Sequence, residues 1–92
     1  MLSVSISINN NKATGKFVAD SYFFEKDKYE YAFYLMKEGE KERLDARWYE
    51  DNLEADFYIV NIVGVIYIKC FVRDKRDNTV RTFDSEKVSI DI

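Results

Sequence analysis

Apolar and polar residues alternate with a period of two along most of this chain. Leu2, Val4, Ile6 and Ile8 are interleaved with Ser3, Ser5 and Ser7, the pattern of a strand with one face in a core and the other in water. Asn9-Asn10-Asn11-Lys12 has turn chemistry, because asparagine tolerates left-handed backbone. A second strand is predicted over Ala13 to Phe24, with Ala13, Gly15, Phe17 and Ala19 on one face, and Glu25-Lys26-Asp27-Lys28 breaks it.

The stretch from Tyr29 to Asp74 is richer in aromatics. Tyr29, Tyr31, Phe33 and Leu35 lie on one side of a third strand and Ala32, Tyr34 and Met36 on the other, and apolar residues on both sides predict a central position. Glu38-Gly39-Glu40-Lys41 reads as a turn. Glu42 to Tyr49 then alternates Leu44, Ala46 and Trp48 against Arg43, Asp45, Arg47 and Tyr49. Lys41 to Asp56 is also rich in good helix formers, so a helix competes with the strand there. After Glu50-Asp51-Asn52 the face Leu53, Ala55, Phe57 and Ile59 follows, then a link over Asn61 to Gly64 and a long strand from Val65 to Asp74. A polar turn over Lys75 to Asn78 leads into a return from Thr79 to Ile92, with a break near Asp84-Ser85. About seven strands at this spacing predict an all-β fold, an antiparallel β-sandwich.

Phe33-Tyr34-Leu35, Arg47-Trp48-Tyr49 and the run Gly64-x-Ile66-x-Ile68-x-Cys70-Phe71-Val72-Arg73-Asp74 together resemble the bacterial triple-tyrosine-motif domain. The similarity covers roughly the central half of the chain. It implies an immunoglobulin-like (fibronectin type III-like) sandwich that serves as an accessory module in larger proteins, beside sensor modules, cell-wall enzymes or polysaccharide-processing enzymes. One position departs from the family pattern. The aromatic expected two residues after the glycine is Ile66 here, with Tyr67 next, which leaves open whether the fold's corner tyrosine hydrogen bond is made. Because the opposite register would bury Lys69 and Arg73, Ile66, Ile68, Cys70 and Val72 are expected to point inward. The predicted core is Phe17, Tyr31, Phe33, Leu35, Trp48, Phe57, Ile66, Ile68 and Val72.

Composition narrows the function classes. Ninety-two residues are expected to form a single domain over 1–92, in keeping with a fragment of a larger multidomain protein. Hydrophobic residues at 47% and aromatics at 16% exceed what a disordered tail carries. Histidine is absent, which removes the commonest general base and metal ligand together. One cysteine excludes an internal disulfide, and Cys70, with no histidine to activate it, reads as a small core hydrophobe. A net charge of −3 argues against nucleic acid, whose phosphates need a positive field. No apolar run is long enough to span a membrane, and the N-terminal alternation reads as a strand, not a signal peptide. The compartment stays open.

Neither a catalytic residue nor a cofactor is predicted, and an enzyme is the least expected class. The acids around Glu50, Asp51, Asn52, Glu54 and Asp56 lack the loop spacing and glycine of a calcium site. Lys75, Arg76 and Arg81 with Arg73 read as a solubilised turn and a guarded edge. The sharpest candidate is an outward face: Tyr34, Met36, Tyr67 and Phe71, with Arg47 and Arg73 nearby as donors and Tyr49 as a further ring. Such a face suits other domains of a parent protein or a protein partner, or a glycan stacked on the rings. A free-standing interaction or inhibitor protein is a third possibility.

Overall fold

A computed structural model describes residues 1–91. It contains eight strands: β1 (Leu2–Asn9), β2 (Lys12–Ala19), β3 (Tyr29–Lys37), β4 (Asp45–Glu50), β5 (Glu54–Tyr58), β6 (Gly64–Asp74), β7 (Val80–Asp84) and β8 (Val88–Ile90). They form two antiparallel sheets. The smaller has the order β1-β2-β5; the larger has the order β4-β3-β6-β7, and β8 also pairs with β6. The protein is therefore an all-β, two-sheet fold consistent with a β-sandwich. No helix among the described residues is long and apolar enough to cross a membrane.

The core lies between the sheets and follows the period-two pattern closely. Val4 and Ile6 from β1, Ala13 and Phe17 from β2, and Ala55 and Phe57 from β5 face Tyr31, Phe33 and Leu35 from β3 and Ile66, Ile68, Cys70 and Val72 from β6, all buried. Eight of the nine predicted core residues are there. Trp48 is the exception: it is 61% exposed. Other differences are of extent. The second strand stops at Ala19, leaving Tyr22 and Phe23 exposed in the loop, while Phe24 folds back against Phe17 (centroids 5.6 Å apart). The fourth begins at Asp45, not Glu42, and Ile8 is 37% exposed where β1 runs past its cover. The segment 41–56 forms β4, a turn and part of β5, not a helix. Tertiary pairing with β3 and β2 outweighs its helix propensity. A single 3-10 turn, Lys26–Lys28, is the only helical piece among the described residues.

The predicted break in the last strand is real, and Ser85 repairs it. β6 pairs with β7 over Lys69 to Arg73 and with β8 over Gly64 to Ile66. Between them the Ser85 N–H donates to the Ile68 carbonyl, and the Ile68 N–H donates to Ser85 Oγ, both at 2.8 Å. A side-chain oxygen thus replaces a lost ladder acceptor in a buried position. The expected course of this strand to Ile92 ends outside the described residues. Among those described, no tyrosine hydroxyl makes a corner bond near the start of β6. Tyr31 instead donates to the Lys26 carbonyl at 2.9 Å, tying β3 to the preceding turn.

The β6–β7 turn is closed by charge. The buried Asp74 carboxylate accepts from Arg76 through its backbone N–H (2.9 Å), Nε (3.1 Å) and Nη2 (2.8 Å). These hydrogen bonds from Arg76 hold its pKa down at about 2, with burial opposing them. An unfolded aspartate titrates near ~3.9. The folded-state pKa is depressed, so the stabilisation is complete above about pH 4 and is lost as pH falls toward about 2. Thermal unfolding followed across that window should show Asp74→Asn flattening the acid limb. An acid limb identical to that of the wild type would refute the assignment.

Candidate functional site

The two outer faces differ in kind. That of the smaller sheet carries Ser3, Ser5 and Ser7 from β1 and charges from β2 and β5. Lys12 pairs with Asp56 and Lys16 with Glu54, each at 3.7 Å, and Thr14 Oγ1 donates to Asp56 Oδ1 at 2.6 Å. The larger sheet presents rings. Register places Tyr34 opposite Lys69, Met36 opposite Tyr67, Ala32 opposite Phe71 and Glu30 opposite Arg73, all on the side away from the core.

A bulge in β4 completes this face. Tyr31 pairs with Glu50 and Phe33 with Arg47, so two steps on β3 match three on β4. Trp48 and Tyr49 therefore both stand opposite Ala32, and both turn outward. Tyr34 contacts Phe71 (centroids 4.6 Å apart, 62° between planes) and meets Trp48 edge-on (5.9 Å, 90°). Ala32, small and outward-facing, is only 1% exposed beneath its larger neighbours.

Cations lie over most of the rings. The Arg43 guanidinium carbon is 5.0 Å from the Tyr34 centroid and 5.1 Å from that of Trp48. Arg73 sits 3.8 Å from the Tyr49 centroid and pairs with Glu30, and Lys87 Nζ lies 5.8 Å from that of Tyr67. Burial raises the Tyr49 pKa, with Arg73 pulling the other way. Arg43 makes no ion pair among the described residues, so its charge is available to a partner. Beside it runs an open groove of about 720 Å³ lined by Tyr34, Met36, Arg43, Leu44, Ala46 and Trp48.

The structure thus brings Tyr34, Met36, Tyr67, Phe71, Arg73 and Tyr49 onto one face. Arg47 is a correction. Ahead of the bulge, where Asp45, Ala46 and Arg47 pair regularly with Leu35, Tyr34 and Phe33, Arg47 stands opposite the inward-facing Phe33 on the core side; its guanidinium lies 4.7 Å from the Phe57 centroid, donates to the Ala46 carbonyl (2.9 Å) and pairs with Asp45 (3.1 Å). Trp48 and Arg43 are the residues that the expected parity misses. The apolar Ala46 and Trp48 look like the inward set of β4, but the strand turns them outward, and Arg43 precedes β4.

Elsewhere most of the candidate polar groups are paired. Asp51 pairs with Lys75 at 2.9 Å, and Asn52 Oδ1 accepts from the Glu54 N–H. With Glu54 and Asp56 held by lysines of β2, three acids of this segment are spread over separate ion pairs, and no cluster of metal-ligating side chains occurs among the described residues. The basic cluster divides likewise: Arg73 to Glu30, Lys75 to Asp51, Arg76 to Asp74, and Arg81 over the Phe83 ring. Cys70 is fully buried, and burial pushes its thiol up to about 12, far from the thiolate a nucleophile requires. Comparison of the chain with protein-family models, with curated proteins and with solved structures finds no match.

Proposed function

We propose that this chain is a non-catalytic module of the immunoglobulin-like, fibronectin type III-like kind. It makes protein–protein contacts through the outer face of its larger sheet and spaces or docks the domains of a larger bacterial protein. The strand order supports the architecture. The constant-type immunoglobulin sandwich sets its first, second, fourth and fifth strands against the third, sixth and seventh; here the fourth strand has moved beside the third. The same order supports the resemblance of the central segments to triple-tyrosine-motif domains.

The observation that carries the function is the contrast between the outer faces, one of serines and paired charges, the other of contiguous rings under cations. Trp, Tyr and Arg are the residue types that dominate binding hot spots, and Trp48, Tyr34 and Arg43 meet beside the groove. A carbohydrate is the second reading, favoured by the size of that groove and by the acids Glu42 and Asp45 in its wall. Sugars stack on flat exposed ring faces, whereas Tyr34 and Trp48 stand at 90° with Arg43 over both, which favours a protein.

Trp48 is the sole tryptophan, so its fluorescence reports on this face directly. A protein captured stoichiometrically by the wild type should bind Trp48→Ala and Arg43→Ala more than about tenfold less tightly, while both variants melt near the wild-type temperature. Equal binding by all three would overturn the proposal. Saturable quenching of Trp48 by an oligosaccharide would replace it with the carbohydrate reading.

A further inference from the structure

The opposite sheet ends in an unguarded strand. In the order β1-β2-β5, no strand among the described residues pairs with the outer side of β1. The Phe17 N–H donates to the Leu53 carbonyl and the Ile59 N–H to that of Asn11, so odd-numbered residues of β2 face β5 and even-numbered ones face β1. Their β1 partners are Ser3, Ser5, Ser7 and Asn9. The backbone N–H and C=O groups of Leu2, Val4, Ile6 and Ile8 therefore point away from the sheet, unpaired.

Natural edges are blunted by charge, proline, bulges or shortness. The others here have such devices: β4 its bulge, β5 the carboxylates of Glu54 and Asp56, β7 Arg81 and Asp84, and β8 only three residues. β1 has none. Its eight residues carry no charge and no proline, and its register with β2 is unbroken from Leu2 to Asn9.

We infer that β1 pairs antiparallel with β1 of a second copy of this chain, joining the smaller sheets into one continuous sheet with three strands from each copy. The sequence of the strand favours itself as occupant, because Leu-Ser-Val-Ser-Ile-Ser-Ile has the same alternation in both directions. With the two-fold axis at Ser5, Val4 meets Ile6 of the other copy and Leu2 meets Ile8. All four are in the hydrogen-bonding positions just identified, and the serines stack together on the outer face. The pairing covers Ile8, which is 37% exposed in one copy. It is isologous, so it closes at two and leaves no free edge on β1. The aromatic face on the other sheet is untouched, and the inference stands independently of its role.

Sedimentation equilibrium over a broad concentration range should show a 10.9 kDa monomer converting to a dimer. Ser5→Lys sets like charges opposite each other across the axis and should weaken the dimer by about tenfold or more; an equimolar mixture with Ser5→Glu should restore it. Ser5 directs its backbone groups toward β2, so its pair is of the close, non-hydrogen-bonded kind, with Cα atoms about 4.5 Å apart, within disulfide range. Ser5→Cys should cross-link under mild oxidation, with Cys70 too buried to compete. Trp48→Ala should dimerise like the wild type. A monomer at every concentration overturns the inference. So does a dimer indifferent to Ser5→Lys or abolished by Trp48→Ala.

Discussion

Phe57→Ala is expected to destabilise the protein by about 3–5 kcal/mol, the usual cost of truncating a fully buried phenylalanine. Phe57 is 0% exposed, although it comes from β5, an edge strand of only five residues. Its lateral cover is the Arg47 guanidinium, 4.7 Å from the ring centroid and held by Asp45 and by the Ala46 carbonyl. Removing the ring leaves a void between the sheets and takes away the surface on which Arg47 rests. Domains of this size have only about 5–15 kcal/mol in total, and each kcal/mol moves the melting temperature by roughly 4–8 °C. The variant should therefore melt well below the wild type, or fail to fold at 37 °C. Phe57→Leu, which fills more of the volume, should lose markedly less. A loss below about 1 kcal/mol for the alanine variant would show that the flank collapses to fill the space.

Gly15→Ala is expected to destabilise by about 1–3 kcal/mol, against the usual sign for such a change. Within an ordinary strand, glycine is worse than alanine by about 0.5–1 kcal/mol because of its unfolded-state entropy. Gly15, however, sits in the middle of β2 directly across from Ile68. A Cβ there would lie 2.7 Å from Ile68 Cγ2 and 3.2 Å from Cγ1, and Ile68 is fully buried with nowhere to move. Overpacking thus exceeds the entropic gain. Denaturant unfolding of a double-mutant cycle with Ile68→Ala isolates the contact. The double variant should recover stability relative to the sum of the singles, with a coupling within the roughly 0.5–3 kcal/mol seen for contacting residues. Simple additivity, or a more stable Gly15→Ala, would disprove the close approach.

Alternation in the sequence was a reliable guide wherever a strand runs regularly between two fixed neighbours. β6 is the clearest case: Ile66, Ile68, Cys70 and Val72 are all inside because the reverse parity would bury Lys69 and Arg73. β3 and β5 also followed their alternation, and the break near Ser85 was legible as well. Parity failed in β4, where the apolar Ala46 and Trp48 face outward and Asp45 and Arg47 lie on the core side, the reverse of the expected sides, while one additional residue between Arg47 and Glu50 keeps Tyr49 outward as well. The pairing of strands into sheets, and with it the unguarded β1 edge, depends on contacts distant in sequence. The candidate face was accordingly half legible. Its rings on β3 and β6 followed from parity, whereas Trp48 faces out on the side opposite to the one its apolar neighbours suggest and Arg43 lies in a loop.

The bulge has an evolutionary consequence. A regular strand commits every second codon to the core, so a sandwich can change its outer surface only at alternate positions. At Trp48 and Tyr49, two neighbouring codons both specify the outer surface, over an alanine that is itself small and outward-facing. Loss of one of those codons would restore strict alternation and remove a ring from the surface while sparing Phe33, Phe57 and the rest of the interior. The outer chemistry of this sheet can thus be written or erased by a single-residue indel, at a place where the fold itself is largely indifferent.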